Sequence, residues 1–353
     1  MPKKRSIEDI LRQKLREPQI VYLLGAGASI CAGLPGTIEL TKQVKSSLKD
    51  ESSCVFEEIT QSLSVQMANP NIEDVLSELS NRLCCSDLTD DRRRRLQKAS
   101  DEICHFINNV LRVDQSTEYH RQFVLRLVSR RRSEPSAKAP PVQIFTVNYD
   151  LLLELACEES NLVAVNGFEG IFRRRWNPES FDMDIGTATD HVQKARFDRS
   201  ARHIRLCKLH GSLSWYKIDG GFCEEKPSPG DTRIPLIIYP SRRKYSESIC
   251  PPFEGLFRRF GEIVDRSNLL VSIGYGFGDA HLDQYIFSAL NNSLSLVVFS
   301  KEPIDLLASK SSHSSISLIN EKQTIIDGMN RNEVVNLWDF KEFSSWLPAL
   351  KEK

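Results

Sequence analysis

The chain has 353 residues, 40% hydrophobic and 27% charged, with Lys+Arg and Asp+Glu both totalling 47. That is enough apolar material for a sizeable core, and zero net charge gives no argument for a polyanionic partner. No stretch approaches the ~20 apolar residues of a membrane helix. The basic start, Met1-Pro2-Lys3-Lys4-Arg5, runs into Ser6-Ile7-Glu8-Asp9 rather than an apolar secretory core, so a cytoplasmic protein is expected. Nine cysteines include no Cys-x-x-Cys spacing, and the odd count argues for reduced thiols.

In chain order, residues 6–17 have the apolar spacing of a short amphipathic helix, through Ile7, Ile10, Leu11 and Leu15. The apolar run Ile20-Val21-Tyr22-Leu23-Leu24 then predicts a strand buried on both faces, as in a parallel sheet covered by helices. Residues 37–130 are helical and polar in texture. Asn71 is a candidate cap ahead of Glu73 and Asp74. Arg92 to Arg95 lie on a long helix and read as a solvated face, because no aromatics accompany them. Residues 130–141, rich in charge, Ser and Pro, are linker-like.

Val142-Gln143-Ile144-Phe145-Thr146 predicts a second buried strand, followed by a helix from about Asp150. Residues 166–202 look like an irregular surface excursion. Further strands are expected at 203–208, 236–239, 269–273 and 296–299, with helices at about 253–265 and 280–291 between the last three. This order predicts an α/β fold: a doubly wound, Rossmann-like parallel sheet with a helical insertion subdomain. The sheet domain takes 1–36 and 140–345, and the insertion takes 37–130. No internal repeat is evident.

Candidate chemistry sits at four strand ends. Gly25-Ala26-Gly27-Ala28-Ser29 follows the first strand, where backbone amides can approach a diphosphate. As a dinucleotide fingerprint it is incomplete, with Ile30 at the third glycine position, so it reads either as a nucleotide loop or as a tight turn. Asn148 and Asp150, in Thr146-Val147-Asn148-Tyr149-Asp150, either present an amide and a carboxylate to a ligand or cap the next helix. His210, in Lys208-Leu209-His210-Gly211-Ser212, is either a proton-transfer group or a histidine in a surface turn. Gly274-Tyr275-Gly276-Phe277-Gly278-Asp279 allows close backbone approach to a ligand, or is a flexible loop.

These four segments, in this order, resemble the sirtuin superfamily, and more closely its bacterial Sir2-like branch. The likeness spans roughly residues 18–300. The loop 25–29 with Ala32-Gly33-Leu34-Pro35 looks like the family's glycine loop and following turn. Thr146-Val147-Asn148-Tyr149-Asp150 looks like its Gln-Asn-Ile-Asp element, with Val147 in place of Gln, and Lys208-Leu209-His210-Gly211 like its catalytic His-Gly.

The resemblance implies NAD as substrate. Asn148 would bind a ribose hydroxyl or position water, with His210 as general base and Asp150 accepting from the carboxamide. The amides of Ala26 to Ser29 would hold the diphosphate, with Gly25 in the same cofactor-binding loop, and Gly274, Tyr275 and Asp279 would approach the ribose. Two departures stand out. The interval that carries the zinc module of protein deacetylases holds only Cys223 and Cys250, and Gly36-Thr37-Ile38 replaces their Asp-Phe-Arg. They point to hydrolysis of NAD to ADP-ribose and nicotinamide without zinc or any other metal. Branch members of this kind serve as NAD-depleting effectors of antiphage defence. They also form homo-oligomers or act with a HerA-type hexameric ATPase, and neither membrane nor nucleic acid is implied. An NAD- or ADP-ribose-binding regulatory module without turnover stays open, as does a protein deacylase or ADP-ribosyltransferase. Part of the insertion surface, around Val75, Leu76, Leu79, Phe106, Ile107 and Val110, either packs internally or joins a partner.

Overall fold

Ile20–Leu24 forms the central strand, β1, and its alternation divides two cores. Val21 and Leu23 enter the core on one face of the sheet, and Tyr22 and Leu24 enter the core on the other. The computed structural model describes residues 5–17, 19–65, 67, 69–112, 115–131, 141–191, 194–200, 202–228, 231, 233–239, 251–308 and 313–347. The linker-like stretch 130–141 falls almost wholly outside them.

The helices are α1 (Ile7–Lys14), α2 (Thr37–Ser47), α3 (Asp50–Ser64), α4 (Ile72–Leu83), α5 (Asp90–Leu111), α6 (Glu118–Arg131), α7 (Leu152–Glu159), α8 (Phe253–Asp265), α9 (Ala280–Leu290), α10 (Asp305–Ala308) and α11 (Phe340–Trp346). The strands after β1 are β2 (Val142–Thr146), β3 (Val163–Val165), β4 (Phe168–Glu169), β5 (Arg174–Trp176), β6 (Gly186–His191), β7 (Lys194–Arg199) and β8 (His203–Lys208). Then come β9 (Trp215–Ile218), β10 (Gly221–Glu224), β11 (Leu269–Ile273), β12 (Ser295–Phe299), β13 (Ile316–Ile319), β14 (Thr324–Ile326) and β15 (Met329–Arg331).

The main sheet has nine strands in the order β15-β14-β13-β12-β11-β1-β2-β8-β3. From β13 to β3 every neighbouring pair is parallel, while β14 and β15 add an antiparallel edge. The chain leaves β1 for β2 on one side and later returns to β11 on the other. That reversal is the switch point where open α/β sheets form a crevice beyond the carboxyl ends of their strands. The expected doubly wound sheet is present, with α8 and α9 packing on one face and α1, α6, α7 and α11 on the other.

The insertion is smaller than its sequence texture suggests. Helices α2 to α5 share a core of their own, containing Val44, Phe56, Ile59, Leu79 and Ile103. Helix α6 instead sends Phe123, Val124 and Leu127 into the sheet core, because its apolar face is wide enough to cover β1 as well as a neighbouring helix. Val75, Leu76, Leu79 and Ile107 are buried in the insertion core, with Phe106 and Val110 packed against it. The internal-packing alternative therefore accounts for these six positions. Asn71 caps α4 through a capping box, its Oδ1 accepting from Glu73 N at 2.8 Å and Asp74 Oδ2 accepting from Asn71 N at 3.0 Å. The arginines of α5 are partly committed within the bundle: Arg92 donates to Glu58, and Arg93 donates to the Leu83 carbonyl at 2.7 Å.

Three expectations change. Residues 166–202 are not simply irregular. They supply β4 and β5, which join β9 and β10 in a four-stranded sheet, and the β6–β7 hairpin. The strands are too short for a two-residue period to show, and the sheet is held by Phe168, Trp176, Phe181 and Trp215 in one aromatic cluster. Residues 236–239 make only an isolated bridge from Ile237 to Gly211. The sheet also continues past 299 into β13, β14 and β15.

His120 on α6 shows what the core costs. It is buried, its ring centroid lies 4.8 Å from that of Phe340, and its Nδ1 has no partner among the described residues. Burial lowers its pKa from 6.5 to about 4, only partly opposed by Asp150. The unfolded chain therefore binds the proton first, and stability falls as pH drops from 6.5 towards 4. The loss is about 3 kcal/mol at ~1.4 kcal/mol per unit. Urea unfolding at pH 7 and pH 4.5 is expected to show it, and His120→Phe is expected to flatten the decline. An equally steep decline in the variant would assign the acid sensitivity to other groups.

Candidate active site

Four loops meet at the carboxyl ends of β1, β2, β8 and β11. The turn after β1 is tightly wound. Residues 26–28 and 30–32 form two short 3-10 turns, closed by Gly33 at φ 92. Gly27 N donates to Gly274 O at 3.0 Å and Gly25 N to Ile273 O at 2.9 Å. A Cβ on Gly25 would stand 2.6 Å from Gly274 O, and one on Gly27 would stand 2.6 Å from Gly274 Cα. These glycines let two backbones touch, which is a packing requirement of the loop–loop contact itself.

That winding corrects one expectation. Ala28 N donates to Gly25 O at 2.9 Å and Ser29 N to Ala26 O at 3.0 Å, so the amides of Gly25, Gly27, Ala28 and Ser29 are all spent within the protein. Ala28 is also fully buried. Within this stretch only the Ala26 amide lacks such a partner among the described residues.

Asn148 does not cap α7. Its Nδ2 donates to Gly25 O and to Ser29 Oγ, both at 2.9 Å. A carbonyl oxygen can only accept, which fixes the side-chain amide this way round and leaves Oδ1 as an acceptor on a residue that lines the cavity. Asp150 accepts from Ser29 Oγ at 2.7 Å through Oδ2 and from Leu152 N at 3.1 Å through Oδ1. Asp150 thus braces the start of α7, as the capping alternative has it, and also lines the cavity. Beneath it, the buried Lys208 Nζ donates to the Asp150 carbonyl and to Glu154 Oε1, the latter at 2.8 Å. Burial raises the Glu154 carboxyl above its usual range, against the pull of Lys208.

His210 is a buried histidine, not one in a surface turn. Its Nε2 lies 2.9 Å from Asp279 Oδ2, and its ring stacks 6.1 Å from Phe257. In the last loop Tyr275 donates to Asp283 at 2.9 Å, and Asp279 caps α9. Added Cβ atoms at Gly276 and Gly278 would meet nothing within 4 Å, and both residues line the cavity.

The cavity measures about 690 Å³, within the range of small-molecule and cofactor sites. Its wall gathers Ala26, Gly27, Ser29, Asn148, Asp150, His210, Gly274, Tyr275 and Asp279. Gly25 and Ala28 lie behind that wall. Sequence reasoning pointed to 36–38 but missed the rest of the lining that the insertion contributes: Glu39 in the first turn of α2, and Asn71, Ile72 and Glu73 from the start of α4. Tyr149, also on the wall, is held above its ordinary titration range, first by burial and then by Glu73. The charged lining is Glu39, Glu73, Asp150 and Asp279, with no Lys or Arg among the described residues. Cys31, near Asp150, is no thiolate: burial pushes it up to about 12. Among the described residues no three His, Cys, Asp or Glu side chains cluster as metal ligands would.

A family model described as the SIR2-like domain matches residues 142–322, just over half of the chain. The chain belongs to the SIR2-like family. Its motif-bearing segments from β2 through β13 lie inside that match, while the turn after β1 lies outside it. No curated protein sequence matches. Among solved structures the chain is similar to a sirtuin studied for substrate affinity, at 11% identity over 97% of this chain and 98% of that one, with a TM-score of 0.44. A structure on the mechanism and regulation of Sir2 enzymes gives 11% identity over 98% and 96%, with a TM-score of 0.46. A Sir2–p53 peptide–NAD+ complex gives 11% over 97% and 96%, at 0.42.

The two kinds of glycine in this SIR2-like site separate experimentally. Gly27→Ala and Gly274→Ala are expected to lower unfolding free energy by ~1–3 kcal/mol, the usual cost of overpacking. Gly276→Ala and Gly278→Ala are expected to stay within ~0.5 kcal/mol of wild type. Urea unfolding midpoints decide it, and equal losses in both pairs would contradict the packing argument.

Proposed function

We propose that this SIR2-like protein hydrolyses NAD to ADP-ribose and nicotinamide. The observation that carries the reading is that Asn148, its side-chain amide fixed by Gly25 and Ser29, and His210 line one cavity at the sheet's switch point. Nicotinamide in NAD is a cationic pyridinium, so it leaves as a neutral molecule and needs no general acid. The protein must hold the ribose, position water and accept one proton. Asn148 Oδ1 accepts from that water or a ribose hydroxyl, and His210 takes the water proton as the new C–O bond forms. The C–N bond breaks with its electron pair passing to the ring nitrogen.

The wall suits the nicotinamide end of this substrate in sign. Glu39, Glu73 and Asp150 favour the cationic end. With most amides of 25–29 committed, the reading moves the diphosphate towards Ala26 and the open backbone of Gly276 and Gly278. Water as acceptor follows from the lining at 36–38. There Gly36, Thr37 and Ile38 offer no aromatic ring to shield an activated ribose, and Ile38 is 73% exposed. The same reading includes an NAD-depleting role in antiphage defence, working as a homo-oligomer or with a HerA-type ATPase, in the cytoplasm and without zinc.

A binding module without turnover would need neither a proton acceptor nor an oriented amide. The separation is direct. Purified protein given NAD is expected to release free nicotinamide, at a rate unchanged by chelators. Asn148→Ala and His210→Ala are each expected to lower that rate at least ~100-fold while unfolding like wild type. Full turnover in either variant, or none in the wild type, would overturn the reading.

A further inference from the structure

His210 and Asp279 meet although 69 residues separate them. Their strands are not neighbours, because β2 and β1 lie between β8 and β11. At about 4.8 Å per strand the two strand ends stand roughly 14 Å apart. The side chains close that gap over the ends of β2 and β1, bringing Asp279 Oδ2 to 2.9 Å from His210 Nε2. Asp279 Oδ1 is engaged elsewhere, accepting from His281 N at 3.1 Å and Leu282 N at 3.4 Å. One oxygen is therefore anchored on a helix and the other is spent on the imidazole. Both residues are almost wholly buried, at 4% and 3% exposure, where an unpaired carboxylate would be costly.

The imidazole is fixed from other directions too. Phe257 stacks on it at 29° between planes, and Ile238 N donates to the His210 carbonyl at 2.9 Å. Gly211 follows at φ 85, where a Cβ would lie 2.1 Å from Leu236 O, so the backbone beside His210 has one conformation. An ionised carboxylate only accepts, so Nε2 carries the hydrogen and the lone pair of the neutral ring is on Nδ1.

We infer that Asp279 is the positioning residue of His210, holding its imidazole in the Nε2–H tautomer with Nδ1 as the basic nitrogen. This role differs from the ribose contact that the family resemblance implies for Asp279. It rests on the reading of His210 as the proton acceptor. When Nδ1 takes the proton of the attacking water, the positive charge appears on a ring already facing the Asp279 carboxylate, so charge separation is limited. Asp279 does not itself need to receive a proton, as in other carboxylate-oriented histidines.

Asp279→Asn is the test. Asn keeps an oxygen for the His281 and Leu282 amides and is an equally good helix cap. It places an N–H2 group against Nε2, which forces the ring hydrogen onto Nδ1. We expect kcat for NAD cleavage to fall at least ~100-fold with KM changed less than about threefold. Histidine-selective nitrogen NMR, with His210→Gln used to assign the signal, is expected to show the Nε2–H tautomer in wild type and Nδ1–H in Asp279→Asn. Asp279→Ser, which also caps a helix, is the second variant should Asn not fold, and it is expected to lower kcat likewise. Wild-type kcat in a folded variant, or an Nδ1–H signal in the wild type, would overturn the inference. Should the wild type release no nicotinamide, the hydrolase reading fails and the NMR result alone still decides the tautomer.

Discussion

The structure depends on the contact between the turn after β1 and Gly274. Two backbones there approach so closely that a Cβ on either side would lie 2.6 Å or less from the other. From that contact the loops are bonded onward in sequence. Gly25 and Ser29 hold Asn148, and Ser29 holds Asp150. The Asp150 carbonyl holds Lys208, two residues before His210. His210 then reaches back to Asp279 on the Gly274 loop. The result is a closed circuit through four strand ends, in which each candidate chemical group is braced by the next. A circuit of this kind gives side chains defined geometry without a bound ligand, which is what positioning catalysis requires.

Much of this was legible because strand ends in a parallel sheet announce themselves. An apolar run such as Ile20–Leu24 stops abruptly at glycine, and ligands in such sheets bind where the runs stop. The four loops, the cap at Asn71 and the two-faced burial of β1 follow from local rules of that sort. What sequence could not supply was pairing at a distance. Nothing near Asp279 points to His210, and a helix-capping aspartate looks the same whether or not its second oxygen is in use. The glycines of 25–27 carried a true signal with a second cause: they serve loop–loop contact, while Gly276 and Gly278 are the ones facing open space. The small sheet of β4, β5, β9 and β10 stayed hidden because two- to four-residue strands show no period.

The helical insertion also means more in space than in sequence. Helices α2 to α5 bury Val75, Leu76, Leu79 and Ile107 among themselves, so those side chains are not available to a partner. The amino-terminal turns of α2 and α4 instead line the cavity. The insertion thereby confines the site over the strand ends and adds Glu39 and Glu73 to its lining. Any motion of these helices relative to the sheet changes the width and the charge of the site together.

That charge poses a question of catalysis rather than of affinity. On the proposed reading the substrate's positive charge begins on the pyridinium ring and moves towards the ribose carbon as the bond breaks. A wall that attracted only the ring would stabilise the ground state and slow the reaction. Carboxylates help to the extent that they face the place where charge develops and are already fixed there. Asp150 and Asp279 meet the second condition, since each has both oxygens bonded within the protein. Once the bond is broken, nicotinamide is neutral and the acidic wall no longer holds it. The same negative lining then favours binding of the charged nicotinamide ring and departure of the neutral first product.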